Sequence, residues 1–222
     1  MKLEEILKFC DHTVLSPAAT WEQIRTAIDD AITFDTASVC IPPAFVKRAH
    51  EYAGGKTSIC TVIGFPNGYS KTDIKVFEAK SAALDGADEI DMVINIGMLK
   101  EGNYDAVLDE INEIKSAVGE KILKVIIETC LLTEEEKLKM CEIVSKSNAD
   151  FIKTSTGFST AGATRADVEL LCRNIGSGKR VKAAGGIASL EDAECFINLG
   201  AQRLGTSRIV GLAKKENEKS TY

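Results

Sequence analysis

The feature that most constrains this chain is a repeated rhythm. Short Val/Ile-rich runs alternate with longer stretches whose apolar residues recur at helical spacing. Eight runs stand out, near residues 10–15, 37–41, 58–63, 88–94, 122–127, 150–153, 181–184 and 201–204. The stretches between them carry helix start and stop signals. Thr20-x-x-Gln23 and Thr133-x-x-Glu136 are capping-box patterns, and Tyr104, Val107, Leu108, Ile111, Ile114 and Val118 form one apolar stripe that ends at Gly119. Uninterrupted alternation predicts parallel strands joined by helical crossovers. Eight such units in 222 residues fit a compact α/β fold, the (β/α)8 TIM barrel, which typically takes ~250 residues. A doubly wound open sheet is the rival, and no G-x-G-x-x-G follows the first strand to favour it. No stretch has linker composition, so a single domain is expected over 1–213, with a charged tail, 214–222, expected to be mobile.

In such a barrel, chemistry sits on inward-facing residues at the C-terminal ends of the strands. The sixth run ends in Lys153 and passes into Thr154-Ser155-Thr156-Gly157, a polar, flexible turn. A lysine aimed into a parallel sheet is costly unless it is paired, or neutral and reactive. It either snorkels to the strand rim or serves as an amine nucleophile. The neighbouring strands bear on that choice. Asp91, Val93 and Asn95 share one face of the fourth, Lys124, Ile126 and Glu128 one face of the fifth, and Lys182 lies between Val181 and Ala183 in the seventh. Asp91 with Lys124 reads equally well as a structural ion pair. That pair leaves two further lysines on the next two strands unexplained. Like charges ~4 Å apart at an effective dielectric of about 20 repel by roughly 4 kcal/mol, enough to push one amine towards neutrality. Lys153 and Lys182 are therefore the candidate nucleophile and its activating cation.

A second constellation follows. Gly185-Gly186 comes after the seventh strand, and Gly205-Thr206-Ser207-Arg208 after the eighth, opening a helix. Backbone N–H groups of Gly-rich turns and a helix N-terminus bind phosphate in these two loops of many barrels. Composition excludes other roles. A net charge of −6 argues against nucleic acid or an anionic membrane as partner, and no apolar run has the length of a membrane span. Glu4 and Glu5 fall where a signal peptide would be apolar, so export is not expected. Seven cysteines without a C-x-x-C pair read as reduced thiols of a cytoplasmic protein. With only His12 and His50, and no H-x-H or H-E-x-x-H, no metal and no cofactor is expected.

Several stretches together resemble the deoxyribose-phosphate aldolase family of class I aldolases. They are Asp11-His12-Thr13, Thr61-Val62-Ile63-Gly64-Phe65-Pro66, Asp88-Glu89-Ile90-Asp91-Met92-Val93-Ile94-Asn95-Ile96-Gly97 and Leu123-Lys124-Val125-Ile126-Ile127-Glu128-Thr129, followed by Phe151-Ile152-Lys153-Thr154-Ser155-Thr156-Gly157-Phe158, Val181-Lys182-Ala183-Ala184-Gly185-Gly186-Ile187 and Gly205-Thr206-Ser207. The order is right and nearly the whole chain is covered. The resemblance implies metal-free, reversible cleavage of 2-deoxy-D-ribose 5-phosphate to D-glyceraldehyde 3-phosphate and acetaldehyde. It implies Lys153 as the Schiff-base residue, Lys182 and Asp91 as proton-handling partners and Lys124 as a lysine lining the site. Gly185, Gly186, Gly205, Thr206 and Ser207 are the expected phosphate binders, Thr156 and Cys40 the expected substrate contacts, and a homo-oligomer, dimer or tetramer, is the expected assembly.

Three positions depart from the family pattern: Pro42 replaces a common asparagine, Arg208 a small residue, and Phe158 a lysine of some relatives. Two alternatives stay open: a Schiff-base barrel aldolase with another donor, and a catalytically silent phosphosugar-binding barrel. Tyr222 is either a solvated end or a phenol brought back over the barrel mouth to exchange the C2 proton, a role suggested for some relatives.

Overall fold

The structure, a computed structural model, describes the backbone of residues 1–220 and the side chains of residues 1–216. Its eight strands are β1 (Cys10–Thr13), β2 (Ser38–Ile41), β3 (Ile59–Ile63), β4 (Glu89–Val93), β5 (Ile122–Ile126), β6 (Phe151–Lys153), β7 (Arg180–Ala184) and β8 (Arg203–Thr206). They pair in parallel, in chain order, and β1 closes on β8, as the alternation predicts. Around them run α1 (Leu3–Leu7), α2 (Trp21–Thr33), α3 (Val46–Ala53), α4 (Thr72–Leu84), α5 (Ile96–Lys100), α6 (Tyr104–Val118), α7 (Glu134–Lys146), α8 (Arg165–Asn174), α9 (Leu190–Asn198) and α10 (Ile209–Ser220). The capping boxes read at Thr20 and Thr133 open α2 and α7. The Pro42-Pro43 departure initiates a short 3-10 turn, Pro43–Phe45, ahead of α3.

The strand period of two separates two cores. Outward residues such as Ile90, Met92, Val125 and Ile152 pack with Val107, Ile111 and Ile114 of α6 in the layer between barrel and helices. Burying such side chains supplies ~1.5–3 kcal/mol each. The inward phase is different: Asp11, Glu89, Asp91, Lys124, Lys153, Lys182 and Arg203 are all buried there. A closed barrel this rich in ions does not rest on apolar filling alone. It rests on charge matching.

Two boundaries differ from expectation. The last strand runs over Arg203–Thr206 rather than 201–204, because its register with β1 pairs Cys10 with Leu204 and His12 with Thr206. Gly205 and Thr206 thus belong to the strand end, and only Ser207 and Arg208 bridge to α10. The second difference is the tail, whose helix continues to Ser220 where it was expected to stop at 213. Lys and Glu are strong helix formers, so a charged segment without an apolar face still extends a helix already started. Lys214 also holds Asp30 of α2 at 2.6 Å. Tyr222 lies outside the described residues.

Candidate active site

Cross-strand register sets the inward ions side by side. Asp91 is the Cα partner of Lys124, Lys153 of Lys182, and Lys182 of Arg203. Asp91 is the hub. Its Oδ2 accepts from Lys153 Nζ at 2.7 Å and Lys182 Nζ at 2.6 Å, while Oδ1 accepts from Lys124 Nζ at 2.9 Å and Cys60 Sγ at 3.3 Å. Asp11 is the second carboxylate: it bonds Lys182, and its Oδ1 accepts from Arg203 Nη1 at 2.6 Å and Ser38 Oγ at 2.7 Å. Glu89 completes the set, with Lys124 at 2.6 Å and Arg203 at 2.8 Å.

This geometry fixes most of the charges. Burial pushes the Asp91 carboxyl up, but Lys124, Lys153 and Lys182 together outweigh it and hold Asp91 well below the usual carboxylate range. Asp11 is lowered in the same way, burial being overcome by Lys124, Lys182 and Arg203. For Lys124 and Lys182 burial pulls down, and Asp11 and Asp91 more than reverse it, so both ammoniums are held above the ordinary lysine value. Three carboxylates therefore face three firmly held cations, Lys124, Lys182 and Arg203. Lys153 is the fourth basic group of the cluster and pairs with Asp91 Oδ2 at 2.7 Å.

Lys153 is also the one lysine of this cluster that reaches the cavity of about 830 Å3 at the C-terminal end of the strands. Gly185, Gly186, Gly205, Thr206 and Ser207 line its wall, with Thr156 beside Lys153 and Arg208 and Phe158 towards the mouth. Lys182, Asp91, Lys124 and Cys40 are buried and off the cavity wall. Cys40 is therefore set back from the cavity wall on which the expected substrate contacts Thr156 and Lys153 lie. It lies beside Cys60, whose hydrogen bond draws the Cys40 thiol down against burial.

The loops have defined supports. Gly185 has φ +82°, and a Cβ at Gly162 would stand 2.3 Å from its carbonyl carbon, so the loops after β6 and β7 touch through bare backbone. Gly186, at φ +78°, faces open space. Thr206 Oγ1 donates to Ile187 O at 3.2 Å and accepts from Arg208 N at 3.1 Å, so its hydroxyl ties the two candidate phosphate loops together. Thr156 is held by the buried Glu128, which accepts from its hydroxyl and from its N–H at 3.3 Å. Glu128 occupies left-handed backbone at φ +52°, turning the carboxylate under the β6 loop.

Sequence reasoning assigned no role to Asp11, Glu89, Arg203 and Glu128. The signal for Glu89 was its two-residue offset from Asp91 on one strand face, and for Arg203 a charge inside the eighth strand run.

A parallel (β/α)8 barrel with an amine at the floor of a loop-walled cavity defines an enzyme of the barrel class that works at its C-terminal face. Comparison with known proteins narrows the class. The sequence model of the DeoC/LacD family aldolases matches residues 6–207, and the chain belongs to that family. It is 59% identical over 220 residues to a deoxyribose-phosphate aldolase of Streptococcus pyogenes, covering 99% of both chains. The solved structure of the aldolase QR15 superposes with a TM-score of 0.92 at 39% identity, covering 98% of each chain. A deoxyribose phosphate aldolase from Aeropyrum pernix, described as uniquely tetrameric, matches with a TM-score of 0.84 at 31% identity over 94% of this chain and 89% of its own.

Proposed function

We propose that the protein is a class I aldolase that reversibly cleaves 2-deoxy-D-ribose 5-phosphate to D-glyceraldehyde 3-phosphate and acetaldehyde. The observation that carries this reading is Lys153, which shares one oxygen of the buried Asp91 with Lys182 and alone among the clustered lysines opens on the cavity. Lys153 Nζ attacks C1 of the ring-opened sugar and a protonated imine forms with loss of water. Cleavage of C2–C3 then expels glyceraldehyde 3-phosphate, the C3 hydroxyl losing its proton to site water. The remaining enamine takes a proton at C2, and hydrolysis returns acetaldehyde and the free amine. Asp91 is too firmly ionised to act as a strong base. It aligns Lys153 with Lys182 through one shared oxygen, which sets the Lys182 ammonium beside the reacting nitrogen. Lys124 supports Asp91 from below.

The phosphate is assigned to the wall of Gly185, Gly186, Gly205, Thr206 and Ser207, next to the start of α10, with Arg208 as a further cation at the rim. Thr156, fixed by Glu128, is placed for a substrate hydroxyl. The reaction is assigned no metal: Cys40, Cys60 and Asp91 bring potential ligand atoms within 4.8 Å of one another, but the carboxylate oxygens already hold ammonium groups. A homo-oligomer in the cytoplasm accords with the tetrameric A. pernix relative, seven free thiols, and the lack of any helix among the described residues long and apolar enough to cross a membrane.

Cleavage of deoxyribose 5-phosphate in the presence of a chelator tests the reading, and full activity is expected. Activity abolished by chelation, or none on this substrate, refutes it. Gly186→Asp places a carboxylate in the proposed phosphate pocket and is expected to weaken deoxyribose 5-phosphate at least about tenfold more than unphosphorylated deoxyribose. Equal losses would assign the loop to folding.

A further inference from the structure

Six acidic side chains are buried among the described residues, and five of them hold a cation. Asp11, Glu89 and Asp91 share the barrel lysines and Arg203, Glu110 holds Lys75, and Asp167 holds Lys137. Glu128, just past β5 and 2% exposed, is the sixth, and its partners are neutral. They are the Thr156 N–H, 3.3 Å from both carboxylate oxygens, the Thr156 hydroxyl on Oε2, and the Cys130 thiol at 3.9 Å. A buried carboxylate without a cation is costly. Its backbone is costly too, since φ +52° is a conformation that side chains other than glycine seldom adopt. What the carboxylate provides in return is control of Thr156. A threonine hydroxyl has one proton and two lone pairs. A carboxylate only accepts, so the proton is committed to Glu128, and one lone pair is taken by Phe158 N–H at 3.0 Å. Thr156 therefore shows the cavity a lone pair and no proton.

We propose that Glu128 is a positioning residue that sets substrate specificity: through Thr156 it makes the site read the C4 hydroxyl of the sugar phosphate, which is the C2 hydroxyl of glyceraldehyde 3-phosphate. The proposal rests on the cleavage reading above. Lys153 takes C1, and the wall from Gly185 to Ser207 takes the phosphate. Thr156 lies between the two, because it follows Lys153 on the same loop and its neighbour Gly157 abuts Gly185. It thus faces the middle of the sugar chain. Polarity then selects the hydroxyl. The C3 oxygen ends as a carbonyl without a proton, which would set one lone pair against another. The C4 hydroxyl keeps its proton throughout and donates to Thr156 before and after cleavage.

The test is the addition of acetaldehyde to two acceptors, D-glyceraldehyde 3-phosphate and 3-oxopropyl phosphate, which lacks only that hydroxyl. For wild type, kcat/KM is expected to favour the hydroxylated acceptor by about tenfold or more. Glu128→Asn suits left-handed backbone but falls short of Thr156. It is expected to bring the two acceptors within about twofold of each other, with the loss falling on glyceraldehyde 3-phosphate. Thr156→Val is expected to do the same, and the two changes together to add nothing further to the loss of preference. Glu128→Gln keeps the reach to Thr156 and is expected to hold most of the preference. Should Glu128→Asn not fold, Glu128→Asp decides, because it keeps the charge, shortens the reach and is expected to lose the preference in the same way. Equal losses on both acceptors would make Glu128 a purely structural residue and overturn the proposal, as would a wild type that does not distinguish them. A wild type that adds acetaldehyde to neither acceptor would refute the cleavage reading and this proposal with it.

Discussion

Lys75 and Lys153 are both buried lysines bonded to buried carboxylates, and only one of them faces a cavity. Lys75 Nζ donates to Glu110 Oε1 at 2.8 Å and to Val93 O at 2.8 Å, and the other Glu110 oxygen accepts from Asn95 N at 3.1 Å. Its donors and acceptors form a closed set that fastens α4 and α6 to the end of β4. Burial outweighs Glu110 and pulls the Lys75 ammonium below its ordinary value. By depressed basicity alone, Lys75 would pass for the reactive amine. Lys153 differs in two respects. It shares a single Asp91 oxygen with Lys182, and it opens on the cavity. Competition for one anion, together with access, separates a working amine from a structural one.

The sharpest way to break that contrast is chemical trapping. With acetaldehyde and borohydride, a reduced two-carbon adduct is expected on Lys153 and not on Lys75, mapped by peptide mass spectrometry. Lys153→Met is expected to lower kcat by ~10^4-fold or more with the fold intact. An adduct on Lys75 would reverse the two roles. Glu110→Met should show the opposite profile. Leaving Lys75 buried without its anion is expected to cost about 3–5 kcal/mol in urea unfolding, with kcat per folded molecule unchanged. If kcat collapses while stability holds, the α4–α6 seam belongs to the chemistry.

The same contrast shows what could be read from residues alone. The barrel was legible because eight apolar runs alternate with helical periods, and strand periodicity put Asp91, Lys124, Lys153 and Lys182 on inward faces. Lys75 was not legible. In sequence it is one more charge on a helix, and its burial depends on Gly64, where a Cβ would stand 2.9 Å from Lys75 Cε. Cys40 shows the converse limit: its strand was placed correctly, but how far a side chain lies below the cavity floor depends on barrel stagger, which sequence patterning does not carry. The same holds for Arg203, whose bonds to Asp11 and Glu89 span the barrel between strands far apart in sequence.

Lys182→Met sharpens the comparison within the cluster. It removes the cation that competes with Lys153 for Asp91 Oδ2 and with it the ammonium set beside the reacting nitrogen. A loss of roughly 10^2-fold in kcat is expected, with slower borohydride trapping at Lys153 and a native circular dichroism spectrum. Trapping at the wild-type rate would reduce Lys182 to a counter-ion for Asp11.

The smallest expected effect is a difference in alkaline stability between the two lysine environments. Lys75 has its folded pKa below its unfolded value of ~10.4. Between those two values the unfolded chain holds a proton that the folded chain has released, so the folded state gains stability as pH rises. For Lys124 and Lys182 the folded values lie above the unfolded one, so their contribution is complete below ~10.4 and is lost only as pH rises beyond it towards those folded values. Urea unfolding of wild type against Lys75→Met/Glu110→Met, from about pH 8 to about pH 10, isolates the first site. Wild type is expected to gain on the double variant as pH rises, by no more than ~1.4 kcal/mol per pH unit, with the barrel cluster contributing no slope in that window. If wild type instead loses ground with rising pH, Glu110 outweighs burial at Lys75, and the two lysines differ in access alone.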